Sequence, residues 1–134
     1  VTAASITVPG ITIVLRKGYG LGAQAMAGGS FHGNTMTVSW PTGEFGGMGL
    51  EGAVRLGYRK ELEAITDDAE RAALEAKLIA SAYERGNAWN MASHVEIDDV
   101  IDPAETRARI LSIIGRGTSW RQRSGKKRPM VDTW

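Results

Sequence analysis

The chain has 134 residues, enough for one domain or part of one, with 43% hydrophobic and 23% charged residues and a formal net charge of +1. It has no cysteine, which excludes a disulfide framework, a thiolate nucleophile and a cysteine-ligated metal, and no apolar run reaches the length of a membrane span. The charge is uneven: residues 116–134 carry six Lys or Arg against Asp132, a net +5 that leaves −4 on residues 1–115, and no acidic residue precedes Glu44. The first seven residues read as the end of an element already under way, so a fragment or processed chain is expected. The absence of cysteine fits a reducing compartment, and a cytoplasmic location is the expectation.

Pro9-Gly10 marks a turn that launches a β-branched run over 11–15, which predicts a buried strand. Gly18, Gly20 and Gly22 follow at alternate positions, and then Ala23, Gln24, Ala25, Met26 and Ala27 favour helix. The pattern predicts a strand, a tight glycine turn and a helix N-terminus, with the helix ended by Gly28-Gly29-Ser30. Residues 31–34 form a loop bending at Gly33-Asn34, residues 35–40 have strand composition, and Pro41-Thr42-Gly43 break it. A second glycine-rich passage over 44–52 predicts a short strand turning into a helix that continues through 53–58, followed by a short helical piece over 60–65. Trp40, Met48, Leu50, Val54 and Leu56 are read as core rather than as the lining of a ligand pocket.

The clearest helix spans 67–85. Asp67 with Glu70 makes a capping-box pattern, Asp67–Arg71 and Arg71–Glu75 stand at i,i+4 spacing, and Leu74, Leu78 and Ala82, flanked by Ile79 and Tyr83, form a stripe. Gly86-Asn87 closes it. A short helix over 87–93 and a short strand within 94–101 follow. Asp102-Pro103-Ala104-Glu105 combines an acidic N-cap, proline at N1 and glutamate at N3, which predicts a helix to Ile114 ended by Gly115. Residues 116–134 show little periodicity and read as a basic tail docked by Trp120 or Trp134, giving a division into 1–115 and 116–134. No internal sequence repeat is evident.

A helix that starts straight after a glycine turn leaves its first N–H groups without intrachain partners and with partial positive charge. Such groups suit an anion or a developing oxyanion, and Arg16 and Lys17 give the region a neutral to basic field. Gly20-x-Gly22-x-x-Ala25 also matches a dinucleotide fingerprint in form, but Trp40-Pro41 stand where an acidic ribose ligand belongs and the helix breaks at Gly28-Gly29. Glycines serving only tight packing are the plain alternative. Phosphate-loop, zinc-protease and calcium-loop spacings and a nucleophile elbow are all missing from the sequence. His32 and His94 read as loop or surface residues. Asp98-Asp99 reads as a turn and solvent pair, so no metal site is expected. Lys126-Lys127-Arg128 reads as solvated, with no aromatic interleaving to support a nucleic-acid partner. Any reactive centre is therefore expected at the backbone amides of the glycine turn.

Several passages, in order, resemble the β subunit (the carboxyltransferase component) of biotin-dependent acyl-CoA carboxylases. Val8-Pro9-x-Ile11-Thr12-Ile13-Val14-Leu15-Arg16-Lys17 is similar to the family's strand before its second-domain glycine turn, and Tyr19-Gly20-Leu21-Gly22 to its Tyr-Gly-Gly-Ala turn. Trp40-Pro41-Thr42-x-Glu44, followed by Met48-Gly49-x-x-Gly52-Ala53-Val54, is a specific match. The most specific is Asp98-Asp99-Val100-Ile101-Asp102-Pro103-Ala104-Glu105-Thr106-Arg107, which resembles the terminal strand and helix. The resemblance covers roughly residues 6–114, far more than a lone motif.

The resemblance implies an α/β, crotonase-like fold, a ββα spiral superhelix, of which this chain is a partial second (C-terminal) carboxyltransferase domain. It implies transfer of the carboxyl group from carboxybiotin to the α carbon of an acyl-CoA. Biotin is carried on a separate carrier domain or subunit, and the site forms between this domain and a first carboxyltransferase domain in hexamers that also engage a biotin carboxylase. The biotin-side site maps to Gly20, Leu21 and Gly22, with the N–H groups of Leu21 and Gly22 as the oxyanion hole. Ala23 and Gln24 stand where propionyl-type members carry an aromatic and an acidic residue that influence acyl choice. A fragment of this kind is expected to be inactive alone. The same resemblance leaves two alternatives open: a biotin-dependent decarboxylase subunit, or a non-enzymatic assembly module of the same fold. Neither a nucleic-acid nor a membrane partner is expected.

Overall fold

The structure, a computed structural model, describes residues 8–115. The expected basic tail, with Trp120 and Trp134, lies outside the described residues. Strand β1 (Ile11–Val14), strand β2 (Lys17–Tyr19) and helix α1 (Gly20–Met26) follow one another closely, and the same order recurs as β3 (Met36–Ser39), β4 (Glu44–Gly46) and α2 (Leu50–Gly57). β3 lies parallel to β1, with Ile11 opposite Met36 and Val14 opposite Ser39. β4 lies parallel to β2, with Lys17 opposite Glu44 and Tyr19 opposite Gly46.

Two ββα turns therefore stack, first strands in one sheet and second strands in another. Parallel neighbours require a crossover, and α1 belongs to the first one. The longer crossover from β4 uses α2, α3 (Arg59–Glu63), α4 (Asp68–Arg85) and α5 (Ala88–Ser93) before β5 (Asp99–Val100) joins β3. The first sheet thus has the order β1-β3-β5 and the second β2-β4. A 3-10 turn over Pro103–Glu105 leads into α6 (Thr106–Ile114). The winding is the crotonase-like ββα spiral, mixed α/β with parallel strands.

β3 is covered on both faces, and all four of its residues are buried, as central strands of parallel sheets are. Met36 and Val38 pack with Ile101, while Val14, Phe45, Ala88 and Ile97 form a second cluster. The two polar residues of β3 are satisfied: Thr37 Oγ1 donates to the Phe31 carbonyl at 2.5 Å and Ser39 Oγ to the Trp40 carbonyl at 2.8 Å. Of the expected core residues, Leu50 and Val54 are buried and Trp40 is half-buried, its indole N–H donating to Thr106 Oγ1 at 2.9 Å. Met48 and Leu56 are not core, at 44% and 67% exposure. α2 docks through one face, which Leu50 and Val54 share at i,i+4 spacing, and Leu56 points away from it; Met48 precedes the helix altogether.

The glycine turn needs a larger correction. Residues 17–19 are not part of the turn but a strand, and α1 begins at Gly20 rather than at Ala23. Buried Gly18 brings the chain against Val14 and Phe45, where a Cβ would lie 3.3 Å from Val14 Cγ1. The cap of α4 forms as expected, Asp67 Oδ1 accepting from the Glu70 N–H at 2.8 Å. Its ion pairs do not: Arg71 pairs with Asp68 one turn back, and Glu75 takes Arg55 of α2 at 2.7 Å. The stripe Leu74, Leu78, Ala82 is half-buried, and α4 buries no residue fully. Asp102 caps as expected, accepting from the Ala104 N–H at 2.7 Å, but the first turn it starts is 3-10. Among the described residues no helix is long and apolar enough to cross a membrane.

Candidate active site

β2 runs directly into α1. Tyr19 is the N-cap in an extended conformation, with φ −106° and ψ 132°, and its side chain does not cap the helix. Gly20, Leu21 and Gly22 are the first helical residues, whose N–H groups have no intrahelical acceptor, and the first turn holds no acidic residue to compete for them. Gly20 has φ +61°, and a Cβ there would sit 2.7 Å from the Gly47 carbonyl oxygen. Only glycine takes that conformation and that approach without strain, so the start of α1 is pressed onto the connection between β4 and α2. Leu21 is 81% exposed and Gly22 is exposed.

The Tyr19 phenol is engaged elsewhere. It donates to Glu44 Oε2 at 2.5 Å, and Arg16 Nε lies 3.8 Å from the other oxygen of that carboxylate. Burial, then the hydrogen bond and charge of Glu44, push the phenol well above the usual tyrosine range, so it stays a proton donor. A parallel arrangement joins α2 to α4, where Tyr83 donates to Glu51 Oε1 at 2.6 Å. That bond raises the tyrosine and lowers the glutamate.

Two clefts flank α1. One, of about 490 Å³, runs between β1 and the helix and is lined by Ile11, Ile13, Ala23, Met26 and Phe31. The other, of about 230 Å³, is lined by Gly20, Gln24, Phe31, Phe45, Met91 and Glu96. The neighbouring residues Ala23 and Gln24 thus face different clefts. Leu21 and Gly22 line neither; they stand on the outer surface of the first turn.

The remaining sequence candidates sit apart. His32 Nε2 is 3.5 Å from Glu96, and His94 Nδ1 is 2.8 Å from the Asn90 carbonyl; both histidines are exposed. Asp98 Oδ2 accepts from the Thr37 N–H at 2.7 Å, and Asp99 Oδ2 accepts from Arg109 Nη2 at 2.8 Å, so the pair ties β5 to β3 and to α6. Among the described residues no group of three or more His, Cys, Asp or Glu is placed to hold a metal ion. Sequence reasoning missed the Tyr19–Glu44 contact. The pair is 25 residues apart and meets only through the β2–β4 register; the one available signal is that each residue lies in a short stretch running into glycines.

The model of the carboxyl transferase domain matches residues 2–127. The 12S subunit of methylmalonyl-CoA carboxyltransferase from Propionibacterium freudenreichii subsp. shermanii is 41% identical over 127 residues, 90% of this chain and 23% of that one. A solved single-chain, multi-domain long-chain acyl-CoA carboxylase is 58% identical with a TM-score of 0.68, covering 82% of this chain and 10% of that one. The transcarboxylase 12S crystal structure, a hexamer with methylmalonyl-CoA and methylmalonic acid bound, is 36% identical with a TM-score of 0.77, covering 94% of this chain and 24% of that one. The chain therefore spans less than a quarter of the length of these relatives. With the ββα winding and a match running almost end to end, the chain belongs to the carboxyl transferase domain family.

Proposed function

We propose that this chain supplies the biotin-side half of an acyl-CoA carboxyltransferase site. The observation that carries the reading is the junction of β2 with α1: first-turn N–H groups at Leu21 and Gly22, no side-chain cap, no acid in the first turn, and an exposed surface. Those features fit the ureido ring of biotin, whose carbonyl oxygen accepts hydrogen bonds and gains negative charge when its carboxyl group leaves. Biotin arrives on another domain or subunit as a substrate: its N–C bond to the carboxyl group breaks to release carbon dioxide, the freed ureido nitrogen takes the α proton of the acyl thioester, and the resulting enolate carbon bonds the carbon dioxide. The part played by this chain is electrostatic. Two fixed N–H dipoles at Leu21 and Gly22 meet charge as it develops, at no cost of reorganisation. Gly20 holds the turn where a side chain would collide with Gly47.

The acyl thioester and its enolate oxygen belong to the first carboxyltransferase domain, so the site is complete only in an assembly; the transcarboxylase 12S relative is a hexamer. Ala23 and Gln24, an alanine and a neutral amide where propionyl-type members carry an aromatic and an acidic residue, influence acyl choice. The enzyme works in the cytoplasm with a biotin carboxylase and a biotin carrier.

The test is carboxyl transfer between methylmalonyl-CoA and free biotin in the assembled carboxyltransferase, comparing wild type with Leu21→Pro. Proline deletes one N–H, and its fixed φ is compatible with the first helical turn. Loss of one oxyanion donor costs about 10²- to 10³-fold in kcat, with acyl-CoA binding retained. An unchanged transfer rate in Leu21→Pro overturns the assignment.

A further inference from the structure

We propose that Tyr19 and Glu44 are positioning residues that aim the α1 amides at the biotin-side substrate, a proposal that rests on the half-site reading above. β2 is only three residues long, and its last residue is also the N-cap of α1. The direction of the first-turn N–H groups is therefore set by how firmly Tyr19 is held. The register places Tyr19 opposite Gly46, two residues after Glu44 on the same side of the β2–β4 ribbon. The phenol reaches diagonally across and donates to Glu44 Oε2 at 2.5 Å.

Glu44 is a fixed anchor. Its N–H donates to the Arg16 carbonyl at 2.6 Å, it bridges Asn87 in antiparallel fashion, and the next residue, Phe45, donates its N–H to the Gly86 carbonyl at 2.7 Å. Burial of Tyr19 and the neighbouring carboxylate keep the phenol protonated, so the donor persists across neutral pH. The N-cap residue is also one whose side chain does not satisfy a first-turn N–H: Tyr19 makes no side-chain cap bond, and its phenol is turned to Glu44. Tyr19 and Glu44 are assigned no contact with the substrate; each acts through the main chain of the α1 entry. Their effect passes through the orientation of Leu21 and Gly22, where a displacement on the order of 1 Å costs up to about 100-fold in rate.

The experiment compares Tyr19→Phe, Glu44→Ala and Glu44→Gln in the assembled carboxyltransferase, with Leu21→Pro alongside. The readouts are kcat/KM for free biotin, KM for acyl-CoA, and melting temperature. Tyr19→Phe and Glu44→Ala are expected to lower kcat/KM for biotin about tenfold, with acyl-CoA KM unchanged. Glu44→Gln keeps a carbonyl acceptor for the phenol and is expected to lose clearly less than Glu44→Ala. Three results each overturn the proposal: wild-type biotin kinetics in Tyr19→Phe, equal losses on both substrates, or Glu44→Gln as impaired as Glu44→Ala. If Tyr19→Phe does not fold, the two Glu44 variants decide by the same criterion. Leu21→Pro separates the two claims. A loss in Leu21→Pro with none in Tyr19→Phe sinks only the positioning role, whereas unchanged biotin kinetics in Leu21→Pro sink the half-site itself.

Discussion

Helices α1 and α2 occupy equivalent places in successive ββα turns, each after one strand of the parallel β2–β4 pair, yet they are held in opposite ways. α2 buries Leu50 and Val54 and carries Glu51 in its first turn. α1 buries nothing, has no acid in its first turn, and exposes Leu21 and Met26 at 81% and 92%. An apolar face docked inside the domain and an acid near the N-terminus are the ordinary means of stabilising a short helix. α1 has neither, and is held instead at its entry, by the Gly20–Gly47 approach and the Tyr19–Glu44 bond. The difference teaches that fixing a helix at its first residue leaves the opening N–H groups available, whereas packing it along its length does not require them to be.

The sharpest way to break the comparison is to truncate one apolar side chain on each helix. Leu50→Ala should cost roughly 3 kcal/mol in urea unfolding, while Met26→Ala should change stability by less than about 0.5 kcal/mol; similar costs would show that α1 is docked after all. Next come the two glycines of the α1 entry. Gly20→Ala forces a Cβ into a left-handed residue facing a carbonyl and should destabilise by about 2 kcal/mol. Gly22→Ala meets nothing within 4 Å and should stabilise by about 0.5–1 kcal/mol through helix propensity while keeping its N–H. If the two variants behave alike in the same unfolding assay, the clamp at Gly20 is not what holds the helix.

The smallest effect is on the alkaline side. Tyr19 titrates above its ordinary value of 10.0 in the folded chain. Its contribution to stability is therefore fully present below that value and is lost as pH rises through the raised one. The stability gap between wild type and Tyr19→Phe should be constant from about pH 6 to about pH 9 and shrink above about pH 10. A gap that is flat to about pH 11 would mean the phenol is not held protonated by the fold.

Much of this was legible in the sequence because the signals were local. The β-branched run of β1, the Asp67 cap of α4 and the Asp102-Pro103 start each depend on residues within one turn or strand, and each formed, although of the expected buried run over 11–15 only Val14 is buried and Leu15 falls outside the strand. What the sequence concealed was long-range. Lys17–Tyr19 contains a glycine and reads as turn, yet it is a strand because β4 lies beside it in register; strand formation follows the partner more than the residue. Arg71 and Glu75 suit each other at i,i+4 spacing, but Glu75 finds Arg55 on the neighbouring helix. Met48 and Leu56 are as hydrophobic as Leu50 and Val54, and only the docking direction of α2 decides which are covered. Around α1, the glycines marked the entry to the helix, and the Tyr19–Glu44 hydrogen bond across the β2–β4 pair did not show at all.

The most direct test of the amide site is the infrared carbonyl band of biotin labelled with carbon-13 at the ureido carbonyl, recorded bound to the assembled carboxyltransferase. Two N–H donors at Leu21 and Gly22 should lower that frequency relative to biotin in an apolar solvent, and Leu21→Pro should return part of the shift. A bound band at the frequency of the apolar reference, or a shift indifferent to Leu21→Pro, would contradict the account.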